Sequence, residues 1–219
     1  MLMSCSLASF PGVDADVDTE PVNRSTRRAY SGVEGNARLT AVNAAVLLVL
    51  LAAEGFTILG VRQMLTLHVF IGMVLVPPVL LKVASTGWRF VRYYTGAPAY
   101  RRKGPPPVLL RLLGPAVLLL TLVLLASGIA LLLVSPAHAT LLLRVHKASF
   151  ILWFGAMTIH VLGHLADVAR IAPRDWLRRG RRDVTGASAR QWLIAASLVI
   201  GAILGAVLIS RIGPWLVAR

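Results

Sequence analysis

The residues best suited to chemistry in this chain are histidines that lie inside apolar stretches. His68 and His146 lie near the start of two such stretches, and the residues fourteen positions further on are Lys82 and His160. On a helix that rises about 1.5 Å per residue, fourteen residues return to nearly the same face about 21 Å along the axis. Imidazoles are costly inside a bilayer and usually mark function. These four positions therefore predict one or two ligand sites between helices.

The elements that carry these residues are predicted to be membrane-spanning helices. The chain has 219 residues, of which 57% are hydrophobic, and its mean hydropathy is +0.73. Soluble domains are about 45–50% apolar, and transmembrane helices need about 20 consecutive apolar residues. Several such runs are present, so we predict an all-α, polytopic membrane bundle of five transmembrane helices.

The polar segments divide the chain into three predicted parts. Residues 1–37 are polar and lack an apolar period, which predicts a disordered tail. Residues 38–211 form the transmembrane domain, and residues 212–219 a short second tail. The predicted spans are about 39–59, 64–85, 112–134, 141–167 and 191–210. Pro77 and Pro78 are expected to kink the second span, and the Gly201/Gly205 spacing predicts a close helix contact in the fifth.

The net charge of +14 is explained by topology rather than by nucleic acid. Of the 23 Lys and Arg residues, 17 lie before the first span and in the two long loops that follow the second and fourth spans. The positive-inside rule then places the N-terminus in the cytoplasm and the C-terminus outside. We expect an integral protein of the bacterial cytoplasmic membrane, with the lipid bilayer as its first partner and no nucleic acid.

His68 and His146 are predicted to ligate one haem iron. Spans two and four run in the same direction, and both histidines lie about 10 Å from the midplane on the outer side by the helical rise. Haem needs two axial nitrogens that approach from opposite faces. The single cysteine, Cys5, excludes covalent C-x-x-C-H attachment, so the haem is of b type. Gly72, one turn below His68, is expected to leave room for a flat macrocycle.

Basic residues at the same end of the bundle are candidates for binding the haem propionates. Arg144 and Lys147 flank His146 near the outer surface. Charge-assisted hydrogen bonds to carboxylates are the expected use of such side chains.

Two segments, TLHVFIGMVLVPPVLLK and RVHKASFILWFGAMTIHVLGH, resemble the membrane subunits of cytochrome b-type proteins and the related bacterial b561-like and ferric-reductase-like groups. The resemblance covers spans one to four and implies a four-helix haem-binding core. It also implies electron transfer between quinol or quinone and a partner oxidoreductase, in an electron-transfer subunit rather than a self-sufficient enzyme. Lys82 departs from the pattern, because a histidine at that position would pair with His160.

The occupant of this inner site stays open. His160 and His164 lie one turn apart and are able to ligate a five-coordinate second haem, bind a quinone oxygen, hydrogen-bond across helices or share a transition-metal ion. Lys82 is either a propionate partner or a side chain that extends to the cytoplasmic surface. Glu54 should face the bundle, and His138 should be solvated. The alternative function is that of a cofactor-free helical membrane scaffold or small transporter.

Overall fold

The structure is a computed structural model that describes residues 24–102, 108–175 and 184–217. Its helices are α1 (Arg24–Ile58), α2 (Leu65–Tyr94), α3 (Pro98–Arg102), α4 (Val108–Leu133), α5 (Thr140–Ile171), α6 (Ala187–Leu208) and α7 (Gly213–Val217). Short 3-10 turns cover Pro136–His138, Ala172–Asp175 and Ile209–Ile212. The described residues contain no strand, which confirms the all-α prediction.

Five helices are long and apolar enough to cross a membrane, as predicted: α1, α2, α4, α5 and α6. Their outward faces are rich in exposed apolar side chains, such as Ile151 and Leu152 on α5, which are 69% and 64% exposed. Surfaces of this kind suit lipid rather than water.

The helices extend beyond the predicted spans. Residues 24–37, which the sequence placed in the tail, belong to α1 in the structure, because α1 begins at Arg24; residues 1–23 lie outside the described residues. Similarly, α2 continues to Tyr94 and α5 to Ile171. Hydropathy locates only the apolar part of a helix, whereas a helix continues through polar residues that tolerate its dihedral angles. Within the predicted second tail, residues 213–217 form α7.

Four of the long helices form a ring. α1 packs against both α2 and α5, and α4 packs closely against α5 and more lightly against α2, so α2 and α5 lie diagonally across the ring. α6 packs on the outside of α2. We call the end with the turns at 59–64 and 134–139 the short-loop end, and the opposite end, with the start of α1 and the end of α5, the arginine end.

Polar side chains bind α1 to α2 in the half of the bundle nearer the arginine end. The Asn43 amide, which is fully buried, donates to the Pro78 carbonyl over 2.8 Å, and the Asn36 amide donates to the Ser85 carbonyl over 3.0 Å. Thr40 Oγ1 lies 3.1 Å from Ser85 Oγ. Hydrogen bonds between membrane helices are worth about 0.6 kcal/mol on average. Their regular spacing fixes the antiparallel register that brings the end of α1 to His68.

The predicted glycine contact of α6 is confirmed, and it lies against α2. A Cβ added at Gly201 would lie 2.6 Å from the Val74 carbonyl oxygen, and one at Gly205 would lie 2.7 Å from the Phe70 ring. Proline lacks an N–H, so Pro78 leaves the Val74 carbonyl without its helical donor four residues on. α2 nevertheless runs continuously through both prolines, and the close approach of Gly201 covers the carbonyl that Pro78 leaves open.

Tryptophans connect the remaining helices. The buried Trp153 indole of α5 donates to Thr121 Oγ1 of α4 over 2.9 Å. The Trp215 indole of α7 donates to the Leu131 carbonyl over 3.1 Å. α7 therefore packs against α4 near the short-loop end, and the α4–α5 pair that carries His146 is fixed by a buried hydrogen bond.

Candidate cofactor site

His68 is held by the last two turns of α1. Its Nδ1 lies 2.9 Å from Glu54 Oε1 and 2.9 Å from Thr57 Oγ1. The Thr57 hydroxyl in turn lies 2.6 Å from the Glu54 carbonyl, to which it donates. Thr57 is fully buried, and the side chains of His68 and Glu54 are 21% and 14% exposed. α1 therefore fixes the orientation of the His68 ring.

This arrangement assigns the proton of the His68 ring to Nδ1. The Thr57 hydroxyl already donates its hydrogen bond to the Glu54 carbonyl, and a carboxylate can only accept. A hydrogen on His68 Nδ1 therefore suits both neighbours. Nε2 of the neutral ring then carries a free lone pair. Among the described residues, Nε2 has no hydrogen-bond partner.

His146 is held in the same way by α4. Its Nδ1 lies 3.0 Å from Ser127 Oγ, and that hydroxyl donates to the Leu124 carbonyl over 3.0 Å. Ser127 thus accepts from Nδ1–H, and again Nε2 keeps its lone pair. Gly128 is required for this approach, because a Cβ there would lie 3.2 Å from His146 Cε1.

The two histidines therefore form a matched pair on the diagonal helices. The rings are within electrostatic range of each other. Each Nδ1–H is bound by a neighbouring helix, and each Nε2 is left without a partner within the described part of the chain. A metal-bound histidine usually donates its other N–H to a carboxylate, a carbonyl or a similar acceptor, which fixes its tautomer. The donor set of this pair fits a six-coordinate haem iron.

The other predicted residues of this end lie around the pair. Gly72 faces α1, and a Cβ there would lie 3.5 Å from Glu54 Oε1, so its proposed contact with a macrocycle stays a prediction. Arg144 and Lys147 are exposed at the short-loop end, on the first turns of α5. His138 is exposed as predicted, and its Nδ1 lies 3.0 Å from Ser135 Oγ.

Lys82, His160 and His164 lie together in the half nearer the arginine end. His160 is within electrostatic range of both Lys82 and His164, and its ring centroid is 4.8 Å from that of His164. His160 Nδ1 is buried without a hydrogen-bond partner. The Lys82 ammonium donates to the Thr40 carbonyl over 3.0 Å. Lys82 thus points into the bundle against α1 instead of extending to the surface.

The charges of this second cluster favour one of the alternatives that the sequence left open. A cation shared by His160 and His164 would be repelled by the nearby Lys82 ammonium. At His164 the charges of Asp167 and Arg89 act in opposite directions. The Lys82 ammonium, as a hydrogen-bond donor, suits a ligand with acceptor oxygens better than a metal ion.

Thr57 and Ser127 are the functional residues that the sequence did not single out as histidine partners. Both are hydroxyl side chains within long apolar segments, and this isolation was the available signal. Ser127 and Gly128 both lie against His146. Glu54 faces the bundle as predicted, and its partner is His68.

Comparisons with models of known protein families, with characterised proteins and with solved structures found no match. The residues of this site are therefore what indicates its chemistry.

Proposed function

We propose that the chain is a membrane b-type cytochrome in which His68 and His146 bind one haem between the diagonal helices α2 and α5. The observation that carries the proposal is the hydroxyl contact that each of the two rings makes at Nδ1, which assigns both rings the same tautomer. Each Nδ1 lies within hydrogen-bond distance of a hydroxyl oxygen, at 2.9 Å from Thr57 Oγ1 and at 3.0 Å from Ser127 Oγ. Each hydroxyl donates its own hydrogen bond to a main-chain carbonyl and so accepts from Nδ1–H. Two free Nε2 lone pairs on facing helices are the ligands that haem iron binds.

The protein residues then have defined tasks at this site. When bound, haem b supplies a one-electron iron couple. His68 and His146 would ligate its iron through Nε2, and Glu54, Thr57 and Ser127 would hold the two rings in the ligating tautomer. Arg144 and Lys147, exposed at the short-loop end, are placed to pair with the propionates.

We infer that the electrons pass between a quinone pool and a partner redox protein. The support is the second cluster, where the Lys82 ammonium keeps two unused N–H groups after its bond to Thr40 and His160 Nδ1 lacks a partner. Such donors suit the carbonyl oxygens of a quinone headgroup. Oxidation of a quinol to a quinone releases two electrons and two protons. Because a bound haem b would supply a one-electron couple, the two electrons would leave in two successive transfers, and the protons would go to water.

The same proposal includes an orientation. Arg89, Arg92, Arg170 and Arg174 all lie near the arginine end, which supports placing that end in the cytoplasm of a bacterial cell. The haem then lies nearer the outer surface and the quinone cluster nearer the inner one, so electron transfer has a component across the membrane.

The absorption spectrum of the purified protein tests the proposal. We expect a Soret band and an α-band that respond to dithionite, lost in His68→Ala and in His146→Ala. His138→Ala is the matched control, because this histidine is exposed in the connection between α4 and α5 and bonds only to Ser135 within the described residues. A protein that stays colourless after haem supplementation would overturn the proposal and leave the cofactor-free scaffold or transporter.

A further inference from the structure

The two histidines of the proposed haem site are held by chemically different groups. His146 Nδ1 meets the neutral hydroxyl of Ser127, at 3.0 Å. His68 Nδ1 meets a carboxylate oxygen of Glu54 at 2.9 Å, in addition to the Thr57 hydroxyl. A carboxylate accepts a stronger hydrogen bond than a hydroxyl does and brings a negative charge. The two proposed iron ligands therefore differ in their surroundings, because only His68 lies beside a negative charge.

The Glu54 carboxylate is bound mainly through His68. Its Oε2 atom is buried and has no hydrogen-bond partner in the described structure. The Thr57 hydroxyl donates its hydrogen bond to the Glu54 main-chain carbonyl and not to the Glu54 side chain. A carboxylate inside a helical bundle is expensive, and one oxygen of this carboxylate lies 2.9 Å from an imidazole nitrogen. Such a costly arrangement indicates a role toward the group that His68 binds.

We propose that Glu54 is a positioning residue that lowers the reduction potential of the haem by acting through His68. This inference rests on the proposed haem site. A carboxylate oxygen 2.9 Å from Nδ1 makes the opposite nitrogen of the ring a more basic ligand, which would favour ferric over ferrous iron. The negative charge acts in the same direction, because the ferric site carries one more positive charge and the interior screens charges weakly.

The effect on the reduction potential should come from the surroundings of His68 alone. Ser127 fixes the ring of His146 without adding a charge, so removing its hydroxyl should alter haem retention more than potential. Substitution of Glu54 should alter the reduction potential more than haem retention. Thr57 Oγ1 remains 2.9 Å from His68 Nδ1 and still accepts its hydrogen bond. The two contributions, orientation and potential, are thus separable by substitution.

Redox titration of the purified holoprotein at one fixed pH, followed at the α-band, tests this inference. In Glu54→Gln the carboxylate is replaced by a neutral amide of nearly the same shape. We expect an unchanged low-spin spectrum and a haem reduction equilibrium shifted at least tenfold toward ferrous, which is a rise of 59 mV for a one-electron couple. Glu34→Gln is the matched control, because it makes the same chemical change on the same helix near the arginine end, and it should leave the potential unchanged.

Glu54→Ala provides a second variant if the glutamine protein does not fold. It removes both the carboxylate charge and the 2.9 Å contact with His68 Nδ1, so its potential should also rise. A shift of less than twofold in both variants, with haem still bound, would refute the role of Glu54 and leave the haem site standing. A wild-type protein that binds no haem would instead overturn both proposals.

Discussion

Gly201 of α6 lies very close to the Val74 carbonyl of α2, and this contact yields a quantitative prediction. A Cβ at residue 201 would lie 2.6 Å from this oxygen and 2.8 Å from Val74 Cα. Carbon–oxygen contacts between helices are normally about 3.3–3.6 Å, so Gly201→Ala must separate the helices by about 0.7 Å. Overpacking of a well-packed interface costs about 1–3 kcal/mol.

The cost of Gly201→Ala is measurable by reversible unfolding in mixed detergent micelles with increasing SDS, followed by circular dichroism. We expect the free energy of unfolding to fall by about 1–2 kcal/mol after the gain of about 0.5–1 kcal/mol from replacing a helical glycine by alanine. Gly155→Ala on α5 is the matched control, because a Cβ there meets no atom within 4 Å. It should leave stability unchanged or raise it. Equal stabilities of the two variants would refute the α2–α6 packing described here.

Three further predictions concern the two clusters. Ser127→Ala removes the acceptor for His146 Nδ1 and should weaken haem affinity about 10–100-fold, measured as haem retained on dilution; retention equal to wild type would contradict the assigned tautomer. Gly128→Ala places a Cβ 3.2 Å from His146 Cε1 and should lower haem content, whereas Gly114→Ala on the same helix, with no atom within 4 Å, should not; equal losses would show that the ring is not held at Gly128. Lys82→Met should abolish the spectral response to an added quinone analogue while the haem band remains, and an unchanged response would remove Lys82 from the quinone site.

The number and nature of the long helices were predictable from sequence because their apolar composition identifies them directly. The helix ends were not, and α1 shows why. Residues 24–37 are polar, yet they belong to a helix whose Glu34 lies 3.8 Å from Arg174, in the 3-10 turn after α5. A hydropathy window responds to side-chain polarity, whereas helix continuation depends on partners that only the folded chain brings together.

The candidate site was likewise predictable in part. The similar depth of His68 and His146 was predictable, because spacing and chain direction fix their positions on two parallel helices. Their partners were not, since Thr57 and Ser127 lie on α1 and α4 and their rotation toward the histidines depends on tertiary packing. The direction of Lys82 depends likewise on the Thr40 carbonyl of α1, which it contacts at 3.0 Å.

The haem content per chain, measured by the pyridine haemochrome assay with independent protein quantitation, tests the central claim most directly. The account predicts one haem b per chain, bound by His68 and His146. A content of zero after haem supplementation would contradict the haem site, and a content of two would contradict the assignment of the Lys82–His160 cluster to a quinone.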